Sequence, residues 1–294
     1  MDVKEEHIVP QIPAPIRLSD YGGGIFVSIP SRKGVKKAIE KGWVLINGEN
    51  AKTGDWVNEG DQICLIRTVK NKPDNVRLKY PVVFEDEFLA IVNKPPGVLV
   101  SGNRKWTLEN SFSNTLRKST QYDALDYPEP IHRLDYPTTG ALLVGKTASA
   151  VIALNQLFAQ RKIYKSYLAV CIGIPPSTFE LNSIIEGKSS FAMGETIASV
   201  PSPRFGNLSL LRLHLGTGRR HQLRIQLNEL GFPILGDDKY FNDKDLILRG
   251  KGLYLHSYKL HFNHPIKGLE LALTAKAPRK FFSIFGAEFY HGRV

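Results

Sequence analysis

The sequence contains few cysteines and no long apolar run. Only two cysteines, Cys64 and Cys171, occur among 294 residues, and both lie in apolar segments typical of strands. Two such thiols favour buried, unreactive side chains over a disulfide or a metal site. No apolar run is long enough to span a bilayer, and the N-terminus lacks the basic start and apolar run of a secretory signal. We therefore expect a cytoplasmic protein that does not enter a membrane.

Acidic residues are scarce relative to basic ones. Asp and Glu number 28 against 39 Lys and Arg, which leaves a formal net charge of +11. An excess of this size attracts polyanions at long range and favours their binding through counterion release. Hydrophobic residues make up 42% of the chain, which is enough for a sizeable core. The composition indicates a globular protein with a nucleic-acid partner; a generally basic, highly soluble protein is the alternative.

A polar, basic segment at residues 68–80 indicates a linker between two domains. We predict a small N-terminal domain with its tail and linker at residues 1–72, and a larger domain at residues 73–294. In the larger part, apolar strands outnumber helices and no regular βαβ alternation appears. This pattern predicts an α+β fold with a mixed, largely antiparallel sheet and flanking helices.

The N-terminal part predicts a small α/β unit. SRKGVKKAIEKG indicates a short helix that begins after Ser31 and ends at Gly42, and the Asn47-Gly48 pair indicates a turn after a strand. The lysines on this helix form either an RNA-docking surface or a solvated face. SRKGVKKAI, VLINGE and GDQICLI resemble the small RNA-binding domain named after a ribosomal small-subunit protein. GGGIFVSIP precedes them where that domain family has an Arg-Leu-Asp-rich helix.

The segment IHRLDYPTTGALLVGKT, residues 131–147, fits two incompatible sites. GALLVGKT matches the G-x-x-x-x-G-K-[ST] pattern of a phosphate-binding loop. Such a loop needs free backbone amides, whereas the residues between its glycines are apolar and predict a strand. The other site is built around Asp135, at a turn that Pro137 and Gly140 make before this strand. Taken alone, this Asp is more typical of a turn residue that bonds its own backbone.

Three histidines near the C-terminus, His256, His261 and His264, could suggest a metal site. Their spacing is not that of a helical ligand pair, and no cysteine accompanies them. We therefore favour structural hydrogen bonding for these side chains and expect no metal.

The remaining motifs favour the site around Asp135. HRLDYPTTG resembles the motif H-R-L-D-x-x-T-S-G of the RluA family of pseudouridine synthases. Further matches occur in that family's order: AIVNKPPGVLVSG, KSYLAV, TGRRHQLRIQL, GFPILGDDKY and LHSYKLHFNHP. The resemblance covers roughly residues 81–278. Thr139 replaces the usual Ser, and Gln226 stands where a His is common.

The resemblance implies that uridine in RNA is converted into pseudouridine without a cofactor or a metal. It implies a catalytic role for Asp135, which as a carboxylate can attack the ribose carbon or help to remove a sugar proton. The Tyr of K-x-Y corresponds to Tyr167, which we expect to stack on the extruded uracil and to handle a proton. The Arg that ends H-Q-L-R corresponds to Arg224, which we expect to clamp Asp135 bidentately.

Further residues are expected to bind the substrate, since a uridine must lie in a loop or be flipped out of its helix to react. They are His132, Arg133, Tyr164, Arg219 and Arg220. We expect RNA as the partner, ribosomal or transfer RNA, and a monomeric protein. Two alternatives remain: a catalytically silent RNA-binding or ribosome-assembly factor, and a nucleotide hydrolase that depends on Lys146 of GALLVGKT.

Overall fold

The computed structural model describes residues 2–27, 29, 31–67, 76–241 and 252–285. The chain forms two compact units, Met1–Pro73 and Asp74–Val294. Most of the predicted linker at 68–80 lies outside the described residues. No helix in the described part of the chain is long and apolar enough to cross a membrane.

The N-terminal unit contains two small sheets and two helices. A four-stranded sheet has the order β1-β6-β3-β4, with β1 (Asp2–Ile8), β3 (Val44–Ile46), β4 (Glu49–Asn50) and β6 (Gln62–Arg67). The other sheet pairs β2 (Ile16–Arg17) with β5 (Trp56–Val57), and the helices are α1 (Leu18–Tyr21) and α2 (Arg32–Glu40). The predicted helix is confirmed, with the Ser31 side chain accepting the N–H of Gly34 at 3.1 Å. The predicted turn is also confirmed, because Asn47 and Gly48 adopt positive φ between β3 and β4.

The larger unit is organised around one ten-stranded sheet. Its order is β12-β13-β14-β11-β15-β10-β8-β7, with β16 added to β15 and β9 to β10. The strands are β7 (Val82–Glu85), β8 (Leu89–Lys94), β9 (Ala124–Pro130), β10 (Thr139–Thr147), β11 (Tyr164–Ile172), β12 (Thr178–Ile185), β13 (Lys188–Ser202), β14 (Gly206–Leu215), β15 (Leu255–Asn263) and β16 (Glu270–Thr274). The helices are α3 (Leu108–Thr115), α4 (Ala148–Ala159), α5 (Gln222–Glu229) and α6 (Arg279–Phe282).

The sheet is mixed and largely antiparallel, which confirms the predicted α+β class. Among the described strands of this sheet, β10 and β15 run parallel, and the other paired strands run antiparallel. Antiparallel neighbours can be joined by short turns, whereas parallel neighbours need a long crossover. The β10–β15 pair therefore joins two distant parts of the chain at the centre of the sheet.

Strand β10, which contains GALLVGKT, is buried along its whole length. Leu142 packs into the apolar cluster on one face of the sheet and Leu143 into the cluster on the other. The strand is paired with β8 along Gly140–Gly145. The Lys146 ammonium is also buried, and it donates to the Glu85 carboxylate at 2.8 Å and to the Asp86 carbonyl oxygen at 2.6 Å. GALLVGKT is therefore a core strand, and its lysine is occupied by a structural ion pair.

The contact between β10 and β15 determines which side chains meet where β10 begins. Gly140 faces Ser257 across this pair, and Ser257 faces Tyr167 of β11 on its other side. Gly140 has a φ of +114°, and a Cβ there would lie 2.1 Å from the Ser257 carbonyl oxygen. Glycine is therefore required sterically as well as conformationally. This register brings Tyr167 next to the turn that carries Asp135.

Candidate active site

A cleft of about 1020 Å³ opens in the larger unit, around the turn that precedes β10. Its lining includes six of the residues predicted from the sequence: His132, Arg133, Asp135, Tyr167, Arg219 and Arg220. Arg161 and Lys165 add two further cations to its wall. Basic side chains thus outnumber acidic ones in the described lining. Because a concave surface with a net charge concentrates ligands of the opposite charge, this cleft suits a polyanion.

Asp135 lies between two nitrogen-bearing side chains. One carboxylate oxygen is 3.7 Å from Nε2 of His221, and the other is 3.6 Å from Nη1 of Arg224. These separations exceed those of normal hydrogen bonds, and the Asp135 side chain remains 22% exposed. The carboxylate is thus oriented by charge but stays accessible from the cleft.

Lys94 supports the turn that carries Asp135. Its buried ammonium donates to the carbonyl oxygens of Pro95, Tyr136 and Thr138 at 3.0, 3.1 and 2.8 Å. Three carbonyl groups match the three protons of an ammonium. Burial lowers the pKa of Lys94 to about 7, against the opposing effect of the Asp135 charge. The lysine of NKPPG therefore holds the backbone on both sides of the turn.

The expected bidentate clamp of Arg224 on Asp135 is not observed. The guanidinium fork instead faces Asp237, with Nε donating to Oδ2 at 2.7 Å and Nη2 to Oδ1 at 2.8 Å. Both side chains are almost fully buried, at 4% and 1% exposed. Burial by itself lowers the pKa of Arg224, but the hydrogen bonds and charge of Asp237, together with Asp135, raise it overall. A buried guanidinium needs a buried counter-charge, which the accessible Asp135 does not supply.

Two residues of this arrangement, Asp237 and His221, are absent from the sequence prediction. Asp237 lies in GFPILGDDKY and His221 in GRRHQLR, so both belong to matched motifs without a predicted role. His221 immediately precedes α5 with a φ of +55°, and its Nδ1 lies 2.7 Å from the Tyr240 hydroxyl. Burial lowers the pKa of His221. The charge of Asp135 raises this pKa, and the charge of Arg224 lowers it further. The imidazole is therefore neutral at pH 7.

Tyr167 lies deep in the cleft and is 8% exposed. Burial raises the pKa of Tyr167 to about 12; a hydrogen bond with Ser257 lowers it, and the charge of Asp135 raises it further. Its hydroxyl therefore stays protonated at neutral pH. It can donate a proton or a hydrogen bond to a group that enters the cleft.

The remaining predicted residues occupy different environments. Arg133 and Arg220 are exposed at the cleft, whereas Arg219 donates through Nε to the Ser189 carbonyl oxygen at 3.2 Å. Tyr164 is not among the residues that line the cleft. It is 67% exposed, and its ring lies 5.8 Å from that of His261. The structure therefore does not bring Tyr164 together with Asp135.

His132 has a structural contact at the cleft wall. Its Nε2 accepts the backbone N–H of Leu143 at 3.1 Å, and its ring lies 5.2 Å from that of Phe158. Burial and then the charge of Lys165 lower the pKa of His132 to about 3, although a backbone hydrogen bond at Arg133 opposes them. The imidazole therefore stays neutral and ties the HRLD segment to β10.

The three late histidines make the structural contacts expected of them. His256 bonds through Nδ1 to the Thr139 hydroxyl at 2.7 Å and through Nε2 to the Ala275 carbonyl oxygen at 3.0 Å. His261 pairs with Glu270, and His264 pairs with Asp86. Structural hydrogen bonding by these side chains is thereby confirmed.

Acidification is expected to destabilise the larger unit through His132 and His256. Burial lowers their pKa values to about 3 and about 4, whereas the unfolded chain protonates its histidines near pH 6.5. The unfolded state therefore binds more protons, and stability is lost as the pH falls below this value. Between pH 7 and pH 5 each histidine should remove roughly 2 kcal/mol of unfolding free energy, measured by urea unfolding.

His132→Gln isolates one part of this effect. Its side-chain carbonyl can still accept the Leu143 N–H, but it does not titrate, so the variant should lose roughly 2 kcal/mol less than the wild type over the same pH interval. His214→Gln, at an exposed position of β14, should lose as much as the wild type. If the unfolding free energy of all three proteins depends equally on pH, His132 does not contribute to the loss of stability in acid.

Over about 70% of its length, the chain has the fold of solved pseudouridylate synthase domains. Human RNA pseudouridylate synthase domain containing 1 aligns with a TM-score of 0.58 at 22% identity, over 70% of this chain and 87% of that one. Human RNA pseudouridylate synthase domain containing 4 aligns with a TM-score of 0.55 at 23% identity, over 68% and 89%.

Sequence comparison identifies the family within this class. Residues 88–229 match the RNA pseudouridylate synthase family model. Ribosomal large subunit pseudouridine synthase C of Rickettsia typhi is 30% identical over 92% of this chain and 96% of its own length. Ribosomal large subunit pseudouridine synthase D of Xylella fastidiosa is 29% identical over 87% and 84%. The chain belongs to the RluA family of RNA pseudouridine synthases, which are isomerases.

Proposed function

We propose that this enzyme isomerises uridine in ribosomal RNA and that Asp135 is its catalytic carboxylate. One observation supports the catalytic assignment most strongly: among the described residues that line the cleft, Asp135 is the one acidic side chain. Relatives of similar length carry names that assign them to ribosomal large-subunit RNA. These names favour ribosomal over transfer RNA as the target. We further propose that the enzyme acts as a monomer in the cytoplasm.

The reaction rearranges one nucleotide and needs no external reactant. The bond from ribose carbon 1′ to nitrogen 1 of uracil breaks, and the freed base turns. A bond then forms from carbon 1′ to carbon 5; carbon 5 loses its proton, and nitrogen 1 ends with a proton. Asp135 can begin this sequence by attack on carbon 1′, and the bond it forms then breaks when carbon 5 takes its place. Alternatively, it can remove a sugar proton, which returns to the sugar once carbon 5 is attached.

The neighbours of Asp135 suggest separate roles in this scheme. Arg224, held by Asp237, acts as a positioning residue that presents one nitrogen to the carboxylate. His221, neutral and bonded to Tyr240, borders the carboxylate on the other side. Tyr167, with a protonated hydroxyl, is assigned to contact with the freed uracil and to proton transfer during the final steps.

The N-terminal unit is assigned to RNA docking. Lys33, Lys36 and Lys37 are exposed on α2, while Val35, Ala38 and Ile39 of the same helix are buried. The basic side chains therefore lie on the solvent face of a helix that the core holds in place. Lysines arranged in this way contact phosphates and contribute affinity without base specificity.

Mapping the modified nucleotides tests the target directly. We expect ribosomal RNA from a strain lacking this protein to be missing pseudouridine at one or a few positions of the large subunit. The purified protein should then release tritium from carbon 5 of uridine when given that RNA. Loss of pseudouridine from transfer RNA alone would contradict the ribosomal assignment. Binding of RNA without any tritium release would instead support a catalytically silent factor.

Tyr167→Phe should separate binding from chemistry. The ring stays, so the KM for RNA should change little, whereas loss of the hydroxyl should lower kcat by about 10²-fold to 10⁴-fold. Tritium release at several RNA concentrations measures both constants. Tyr164→Phe, at the exposed neighbouring tyrosine, is the matched control and should behave as the wild type. An unchanged kcat in Tyr167→Phe would contradict the assigned role of the hydroxyl.

A further inference from the structure

A second, smaller cavity lies beside the active-site cleft. Its volume is about 250 Å³, and Arg220 lines both spaces. The hydrogen bond between His221, which lines the cleft, and Tyr240, which lines the second cavity, also joins the two. Sites for drug-sized ligands begin at about 300 Å³. The smaller cavity therefore suits a fragment the size of one planar ring system.

The cavity is held open by contacts between a hairpin and a helix. Strands β12 and β13 turn through Glu186 and Gly187, both with positive φ, as a tight two-residue hairpin requires. Gln226 of α5 donates through Nε2 to the Leu181 carbonyl oxygen at 3.0 Å and to the Ser190 hydroxyl at 3.2 Å. The buried amide ties the hairpin to α5, so the space between them is pre-formed.

One wall of the cavity is apolar, and one of its side chains is exposed to solvent. It is lined by Ile184, Ile185 and Ile225, together with Glu186, Arg220, Lys239 and Tyr240. Ile184 is 77% exposed, whereas Glu180 and Asn182 occupy the equivalent outward positions earlier in β12. An apolar side chain thus stands where the strand otherwise presents polar groups to water, and its contribution to this wall suggests a ligand with an apolar face.

The isoleucines and the Glu186 carboxylate favour a nucleobase over a phosphate inside the cavity, although Arg220 and Lys239 also line it. A phosphate would be repelled by the Glu186 carboxylate and would leave the isoleucines without a partner. An unpaired base can place its faces on apolar side chains and its edge amino group on a carboxylate, which only accepts hydrogen bonds. Arg220 and Lys239 can then contact the backbone phosphates on either side of that base.

We propose that this cavity binds an unpaired base of the substrate RNA that lies next to the reacting uridine along the strand. The assignment rests on the function proposed above and adds to it a second point of recognition. When the target uridine occupies the cleft, Arg220 lies between the two bases, where the connecting phosphate passes. The hairpin tip therefore contributes to the choice of uridine, together with the cleft.

An abasic scan tests the proposal with a stem-loop that carries the mapped uridine. Each flanking nucleotide is replaced in turn by an abasic ribose, and kcat/KM is measured by tritium release. In the wild type, one such replacement should lower kcat/KM about tenfold, which is typical of one lost base contact. Ile184→Asp should lower kcat/KM about tenfold on the intact RNA, and the same abasic replacement should then cause no further loss.

Ile174→Asp provides the matched control, because Ile174 is also exposed, at 55%, and lines neither cavity. This variant should retain the wild-type response to every replacement. The proposal is overturned if no flanking abasic site affects the wild type, or if the losses from Ile184→Asp and from the abasic site multiply. Failure of the wild type to release tritium from the intact stem-loop would instead contradict the proposed function, and this assignment with it.

Discussion

Replacement of Asp135 by Asn should lower kcat for tritium release by about 10³-fold to 10⁴-fold or abolish it. A side-chain amide neither attacks the ribose carbon nor accepts its proton, so both available routes are lost. The fold should survive, because the contacts of Asp135 to His221 and Arg224 are longer than hydrogen bonds and Arg224 retains Asp237. Tritium release from ribosomal RNA measures the loss, and circular dichroism checks the fold.

Asp126→Asn is the control for this experiment. Asp126 is an exposed carboxylate in β9, outside the cleft lining, and its replacement removes the same charge. It should keep wild-type activity. Full activity in Asp135→Asn would refute the assignment of Asp135 as the catalytic carboxylate. Another group in the cleft would then have to carry out the reaction.

Asp237→Asn is expected to weaken both the fold and the reaction. The change leaves the buried Arg224 guanidinium without its counter-charge, which should lower the free energy of unfolding by about 3 kcal/mol or more. The guanidinium is then drawn toward Asp135, its other carboxylate neighbour, at 3.6 Å. Small displacements of a reacting group can lower rates on the order of a hundredfold. Urea unfolding and single-turnover tritium release measure the two effects.

The adjacent aspartate offers a closely matched control. Asp238 is exposed, so Asp238→Asn should change neither stability nor rate. If Asp237→Asn lowers only stability, and folded protein well below its melting temperature reacts at the wild-type rate, then Asp237 is structural and the positioning role of Arg224 is contradicted. If neither quantity changes, the buried pair itself has no energetic importance.

Local patterns in the sequence predicted much of the fold and the general position of the site. GALLVGKT was expected to be a core strand because four apolar residues separate its glycines, and β10 is buried along its length. The turn before it was expected from Pro137 and Gly140. Tyr136 and Pro137 form this turn, whereas Gly140 already belongs to β10, where its φ is +114°. Such patterns depend on neighbours along the chain, so they can be recognised without knowledge of distant contacts.

The pairing of charges at the site could not be predicted in this way. Arg224 was expected to clamp Asp135, yet its fork binds Asp237, thirteen residues further along the chain. Nothing in GDDKY distinguishes Asp237 from Asp238 by residue type. The difference is burial, since Asp237 is 2% exposed whereas Asp238 is exposed. Burial depends on how the segment packs against α5, which no local pattern encodes.

By itself the sequence determined the family, the α+β class and the location of the candidate carboxylate at a turn before a buried strand. These conclusions follow from residue order and from hydrophobic and turn patterns, which act over short distances. Only the tertiary structure decided that Tyr167 lines the cleft while Tyr164 does not. It also decided that Arg224 is paired with Asp237 while one of its nitrogens lies near Asp135. Each of these depends on the register of β10, β11 and β15 and on burial, because distant segments determine the partners that a charged or aromatic side chain meets.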